Sequence, residues 1–157
     1  MSFDVFLQRF EYGASAAVRR EAVREVLGRA SCHGPDEFGF YLITFPEGVE
    51  VEFSARGLES DETFTGCAFH IGRFGDGLMK FILDVARAGD MVIVPAMEGN
   101  PLILVSKDQQ FQVPPEVLEQ LRPVVVESSG ELGAILTGDS RAGQLTLDQS
   151  VKGNGER

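Results

Sequence analysis

The stretch Gly75–Asp108, GDGLMKFILDVARAGDMVIVPAMEGNPLILVSKD, decides how the chain is read. Leu78, Phe81, Ile82, Val85 and Ala86 recur at three- and four-residue spacing, which places them on one helical face. Lys80, Asp84 and Arg87 fall on the other face at spacings that suit ion pairs. Gly89 stands where a helix end takes a left-handed residue. After it, residues 91–96 and 102–106 are short β-prone runs around the turn Glu98-Gly99-Asn100-Pro101. Pro95 cannot donate to a ladder, so its strand lies at an edge or ends there. Helix, stop, strand, turn, strand is a unit around which the remaining elements can be arranged.

Working towards the N-terminus, residues 64–71 form a strand joined to that helix by Gly72-x-x-Gly75-x-Gly77. The glycines invite comparison with phosphate loops. The link lacks the lysine and hydroxyl residue of the phosphate loop and does not match the dinucleotide fingerprint. Asp76 reads as an N-cap whose carboxylate would repel an anion, so the link is turn and cap, not a phosphate cradle. Residues 38–45 are almost wholly apolar and suit a strand covered on both faces. They make a hairpin through Pro46-Glu47-Gly48 with residues 49–55, where Val49, Val51 and Phe53 alternate with Glu50 and Glu52. Residues 2–10 also alternate as a strand. Val18, Ala22, Val23, Val26 and Leu27 mark a first helix, capped by Ser15, with Arg20 and Arg24 towards water.

Residues 1–56 and 64–106 therefore both read strand, helix, strand, strand, with Glu-Gly at each hairpin turn, Glu47-Gly48 and Glu98-Gly99. The expectation is an α+β fold: a mainly antiparallel sheet with two main helices on one face, built on a duplicated unit. Pro114-Pro115 starts a short third helix, residues 116–121. Residues 124–126 and 132–137 suggest a last hairpin across Ser128-Ser129-Gly130. One domain spans 1–137, and the polar, glycine-rich residues 138–157 read as a mobile tail.

Composition narrows the function classes. The chain has 157 residues, 43% of them hydrophobic, enough for one folded core. A net charge of −10 argues against nucleic acid, whose phosphates need a basic face. No apolar run reaches the roughly 20 residues of a membrane helix, so no membrane association is expected. Two cysteines without a disulfide framework suggest a reducing, cytoplasmic setting.

No residue set assembles into a reaction centre. Ser60, Ser106, Ser128 and Ser129 have no nucleophile elbow around them, and Cys67 sits in an apolar strand. Cys32, His33, Cys67 and His70 are too poorly spaced for zinc: one pair is adjacent, and the other points to opposite strand faces. Neither metal nor cofactor is expected. The distinctive feature is the acid density of Glu47, Glu50, Glu52, Glu59, Asp61 and Glu62, set against Arg56 alone. It suggests a non-enzymatic interaction module that steers a basic protein partner electrostatically. The competing expectation is a small-molecule cleft between the two halves, lined by Phe40, Tyr41, Phe69 and Phe74. A homodimer through an apolar edge at residues 92–94 is the further partner the sequence offers.

Overall fold

Two strands at the centre of one sheet organise the molecule. In the computed structural model, which describes residues 3–60 and 62–138, β1 (Phe3–Gln8) pairs antiparallel with β7 (Gly66–Ile71). Beyond β7 come β6 (Glu50–Ser54), β5 (Phe40–Thr44) and β4 (Ser31–His33), each antiparallel to its neighbour. Beyond β1 come β8 (Val92–Pro95), β9 (Pro101–Leu104) and β10 (Arg122–Val125); only the β9–β10 pair is parallel. The eight-stranded order is β10-β9-β8-β1-β7-β6-β5-β4. A separate two-stranded hairpin, β2 (Phe10–Glu11) with β3 (Ala14–Ser15), turns at Tyr12 and Gly13.

Three helices cover one face: α1 (Arg20–Gly28), α2 (Asp76–Gly89) and α4 (Ser129–Leu136). Alternation sends Val5, Leu7, Val51, Phe53, Phe69 and Ile71 towards them, into one core with Val23, Leu78, Ile82 and Leu132. The opposite face is covered at one end only. A 3₁₀ turn (Lys107–Phe111) and α3 (Pro115–Gln120) close over β8 and β9, burying Val92, Leu102, Leu104 and Val113 with Phe10 and Leu118 packed against them. The fold is α+β, with a mostly antiparallel sheet.

Both halves follow the expected element order, with β2, β3 and β4 inserted in the first, and both hairpin turns hold their glycine at positive φ, 89° at Gly48 and 88° at Gly99. Their places in the sheet differ. In the first half the later hairpin strand, β6, lies inward; in the second the earlier one, β8, does.

Several local expectations are corrected. The last segment is a helix, not a hairpin strand: Leu132, Ile135 and Leu136 have helical spacing, and Ser128 Oγ accepts from the Glu131 amide as an N-cap. Ser15 belongs to β3 and caps nothing; α1 begins after Arg19 without a side-chain cap. The left-handed residue ending α2 is Asp90, φ 54°, one position after Gly89. Residues 31–33 form the edge strand β4, an element the expected order does not include. Strand β8 is internal and ends at Pro95, so residues 92–94 offer no edge to a second copy. Of the expected tail, residues 138–157, all but Gly138 lies outside the described residues.

Candidate functional site

Directly opposed residues in antiparallel strands project to the same face, so sheet register assembles the uncovered surface. Asp4 stands opposite His70, His70 opposite Glu52, Glu52 opposite Leu42 and Leu42 opposite His33. The adjacent row runs Val94, Phe6, Ala68, Ser54 and Phe40. Six strands thus build a mainly polar row beside a mainly apolar one. Phe6 is 46% exposed and Leu42 39%, high values for large apolar side chains in the middle of strands. Residues 38–45 are accordingly not covered on both faces as their composition suggested. A depression of about 510 Å³ opens over this surface, lined by Asp4, Phe40, Leu42, Glu50, Glu52 and His70.

Within it His70 is held at both ring nitrogens. Nδ1 lies 2.9 Å from Asp4 Oδ1, and Nε2 lies 3.4 Å from Ser54 Oγ. The Phe40 ring meets the imidazole edge to face at 5.7 Å between centroids. The array joins residues 4, 54 and 70, one from each of three neighbouring strands, and no sequence motif links them. Period-two alternation puts all three on the polar side of their strands, a signal that gains meaning only once register is known.

The acidic stretch is not one surface. Glu50 and Glu52 are exposed on the open face of β6. Glu47 turns away and accepts from the Gly77 amide at 3.0 Å, at the start of α2. That bond, followed by a weaker pull from Arg73, holds its carboxyl below the usual carboxylate range. Glu59 accepts from Arg24 at 3.2 Å and from the Tyr41 hydroxyl at 3.1 Å; Glu62 accepts from Arg56 at 3.1 Å. Asp61 lies outside the described residues. The first helix supplies the reason for this split. Arg20 donates to the carbonyls of Gly57, Ser60 and Glu62, and Arg24 to that of Leu58, so these arginines fasten the acidic loop and do not simply face water.

The four aromatics proposed for a cleft are likewise divided. Phe40 lies on the open face, whereas its chain neighbour Tyr41 and Phe69 are buried beneath the helices. Phe74 packs on Phe3 at 5.6 Å. They do not line a common pocket, because adjacent strand residues point to opposite faces. A different hollow, about 580 Å³, lies between the end of α1 and the flank of α2, with Val26, Ala30, Phe45 and Phe81 below and Arg29 and Lys80 at its rim.

Cys32 and Cys67 are both free. Burial raises both thiols above their ordinary range, and Cys67 lies under the helices, away from His70. Among the described residues, no group of three or more His, Cys, Asp or Glu is disposed to hold a metal. No helix among them is long and apolar enough to cross a membrane. Compared with protein-family models, curated proteins and solved structures, the chain matches none.

Proposed function

We propose that the chain is a protein-interaction module whose uncovered sheet face receives a basic partner. The observation that supports this most is the juxtaposition, across β1, β7, β6 and β5, of Asp4, Glu52 and Glu50 with exposed Phe6 and Leu42. Apolar area supplies affinity once water is excluded, while the carboxylates steer approach and fix orientation. Relative to the sequence expectation, the acidic contribution contracts to the open-face carboxylates Glu50 and Glu52, joined there by Asp4, which also holds His70; Glu47, Glu59 and Glu62 bond Gly77, Arg24 and Arg56. Two free thiols fit a reducing, cytoplasmic setting.

The test is a titration of isotope-labelled protein with a short peptide of alternating arginine and tryptophan, followed by amide chemical shifts. Shifts concentrated on β1, β5, β6 and β7, weakening as salt rises and lost in Glu50→Lys/Glu52→Lys, support the reading. Shifts spread over the whole acidic surface, or unchanged in that double variant, refute it.

The hollow between α1 and α2 supports a second reading, a small-molecule site between the two halves, since its floor is apolar and its rim carries Arg29 and Lys80, the latter paired with Asp84 at 3.1 Å. Thermal shift with medium-chain carboxylates tests it. Stabilisation lost in Phe81→Ala supports this site; no stabilisation by any member of the series removes it.

A further inference from the structure

The Asp4–His70–Ser54 array has a chemical consequence that partner binding does not require. We propose that Ser54 is an activated nucleophile that accepts an acyl group from activated esters. Asp4 Oδ1 at 2.9 Å from His70 Nδ1 selects the tautomer in which Nδ1 carries the proton. Nε2 is then the free acceptor, and Ser54 Oγ is the hydroxyl in front of it at 3.4 Å. Nucleophile, base and orienter thus occupy the relative places that activation of a serine needs, with a separation that tightens when a substrate closes over it. The rigid sheet holds them: Asp4 is directly opposite His70, and Ser54 is opposite Ala68, two residues before His70 on the same face. Phe40 fixes the ring from the side. All three groups border open hollows, with Asp4 and His70 in the depression of about 510 Å³ and Ser54 in an adjoining one of about 340 Å³.

In the proposed step Ser54 Oγ adds to the acyl carbon and its proton passes to His70 Nε2. Collapse of the tetrahedral adduct breaks the bond to the leaving oxygen, which departs with the proton from His70, leaving an acyl ester on Ser54. No oxidant, reductant or metal takes part. The surroundings of Ser54 limit the substrates. It lies within β6, paired between Phe40 and Ala68, and not on a turn that presents successive free amides to an oxyanion. Arg56, two residues beyond Ser54 and bordering the same hollow, is the cation at hand, but it is ion-paired with Glu62 at 3.1 Å and so gives an oxyanion little help. Acylation should therefore need a good leaving group, and the acyl group should persist on the serine instead of being turned over rapidly.

Incubation of the full chain with p-nitrophenyl acetate, with release of nitrophenolate followed by absorbance and the acetyl group located by peptide mass mapping, tests the inference. The expected result is about one nitrophenolate per chain, acetyl on Ser54, and acylation slowed by about 100-fold in His70→Gln, the scale of a lost general base. Asp4→Asn should slow it as well, with Asp4→Glu recovering part of the rate. Acetyl confined to lysines or to His70 in the unaltered protein overturns the proposal, as does Ser54 labelling at an unchanged rate in a folded His70→Gln. Ser54→Ala leaves the charge of the face intact, so failure here and failure of partner binding are distinguishable.

Discussion

Glu47 Oε2 accepts a hydrogen bond of 3.0 Å from the amide of Gly77, thirty residues later, so the turn between β5 and β6 caps the start of α2. Asp76, the cap expected from local sequence, is instead the first residue of α2, and Gly75 is the N-cap without a side-chain bond. The exchange has a steric side. A Cβ on Gly77 would lie 3.0 Å from the Glu47 carboxylate, and one on Gly75 would lie 2.9 Å from it, so the glycine link makes room for a remote cap.

That capping bond makes stability depend on pH. The bond lowers the Glu47 carboxyl in the folded state, so its stabilisation is present above the ordinary carboxylate range and is lost as pH falls through the lowered value. Glu47→Ala should melt a few degrees below the unaltered protein at neutral pH, and the gap should close in acid. Thermal melts followed by circular dichroism from pH 7 to pH 2 measure this; a gap that does not change with pH would exclude the ionised cap.

The acidic loop should depend on the first helix. Arg20→Ala removes three carbonyl contacts and Arg24→Ala removes contacts to Leu58 and Glu59. Charge-assisted bonds of this kind contribute about 1.5–3 kcal/mol when buried and less when exposed, so each variant should lose about 1 kcal/mol. Amide exchange should quicken at residues 57–60 while β1 and β7 keep their protection. Uniform quickening would mean that the arginines support the whole fold and not the loop.

Truncations distinguish a C-terminal helix from the hairpin strand that residues 132–137 suggest on their own. Leu132 is wholly buried, and Leu132→Ala should cost about 2–5 kcal/mol by leaving a cavity between α4 and the core. Ser128→Ala should cost about 1 kcal/mol through the lost N-cap. Urea unfolding gives both values. A strand would leave Ser128→Ala without effect.

Gln109 is 4% exposed, and its amide accepts from the Val105 amide at 2.9 Å and donates to Asp90 at 3.1 Å. It ties the 3₁₀ turn to the left-handed residue that ends α2. Gln109→Leu should lose about 1 kcal/mol in the same urea experiment, because the half-buried Val105 amide loses its acceptor, while the exposed Asp90 carboxylate can turn to water. A smaller loss would show that water replaces the side chain.

Much of the fold is legible locally. Helix α2, the two Glu-Gly hairpins and the alternation of β1 and β6 follow from spacings of 3.6 and 2 that any short window reveals. The last helix was hidden because Leu132, Ile135 and Leu136 lie in a short apolar run, where either period fits and only the Ser128-x-x-Glu131 box argues for helix. The site was hidden for a different reason. Asp4, Ser54 and His70 each show only that they lie on the polar side of a strand, and strand order and register bring them together.

What the amino-acid sequence determined by itself is which side of β1, β6, α1 and α2 meets the core, because there hydrophobic spacing alone decides it. Charge distribution along the chain did not determine which acids are available. Pairing Arg20 and Arg24 with the loop at 57–62, and Glu47 with Gly77, depends on distances in space between residues far apart in sequence. The tertiary structure also decided that the 3₁₀ turn and α3 cover only β8 and β9 on the second face. That incomplete cover leaves Glu50, Glu52, His70 and Ser54 on an accessible surface.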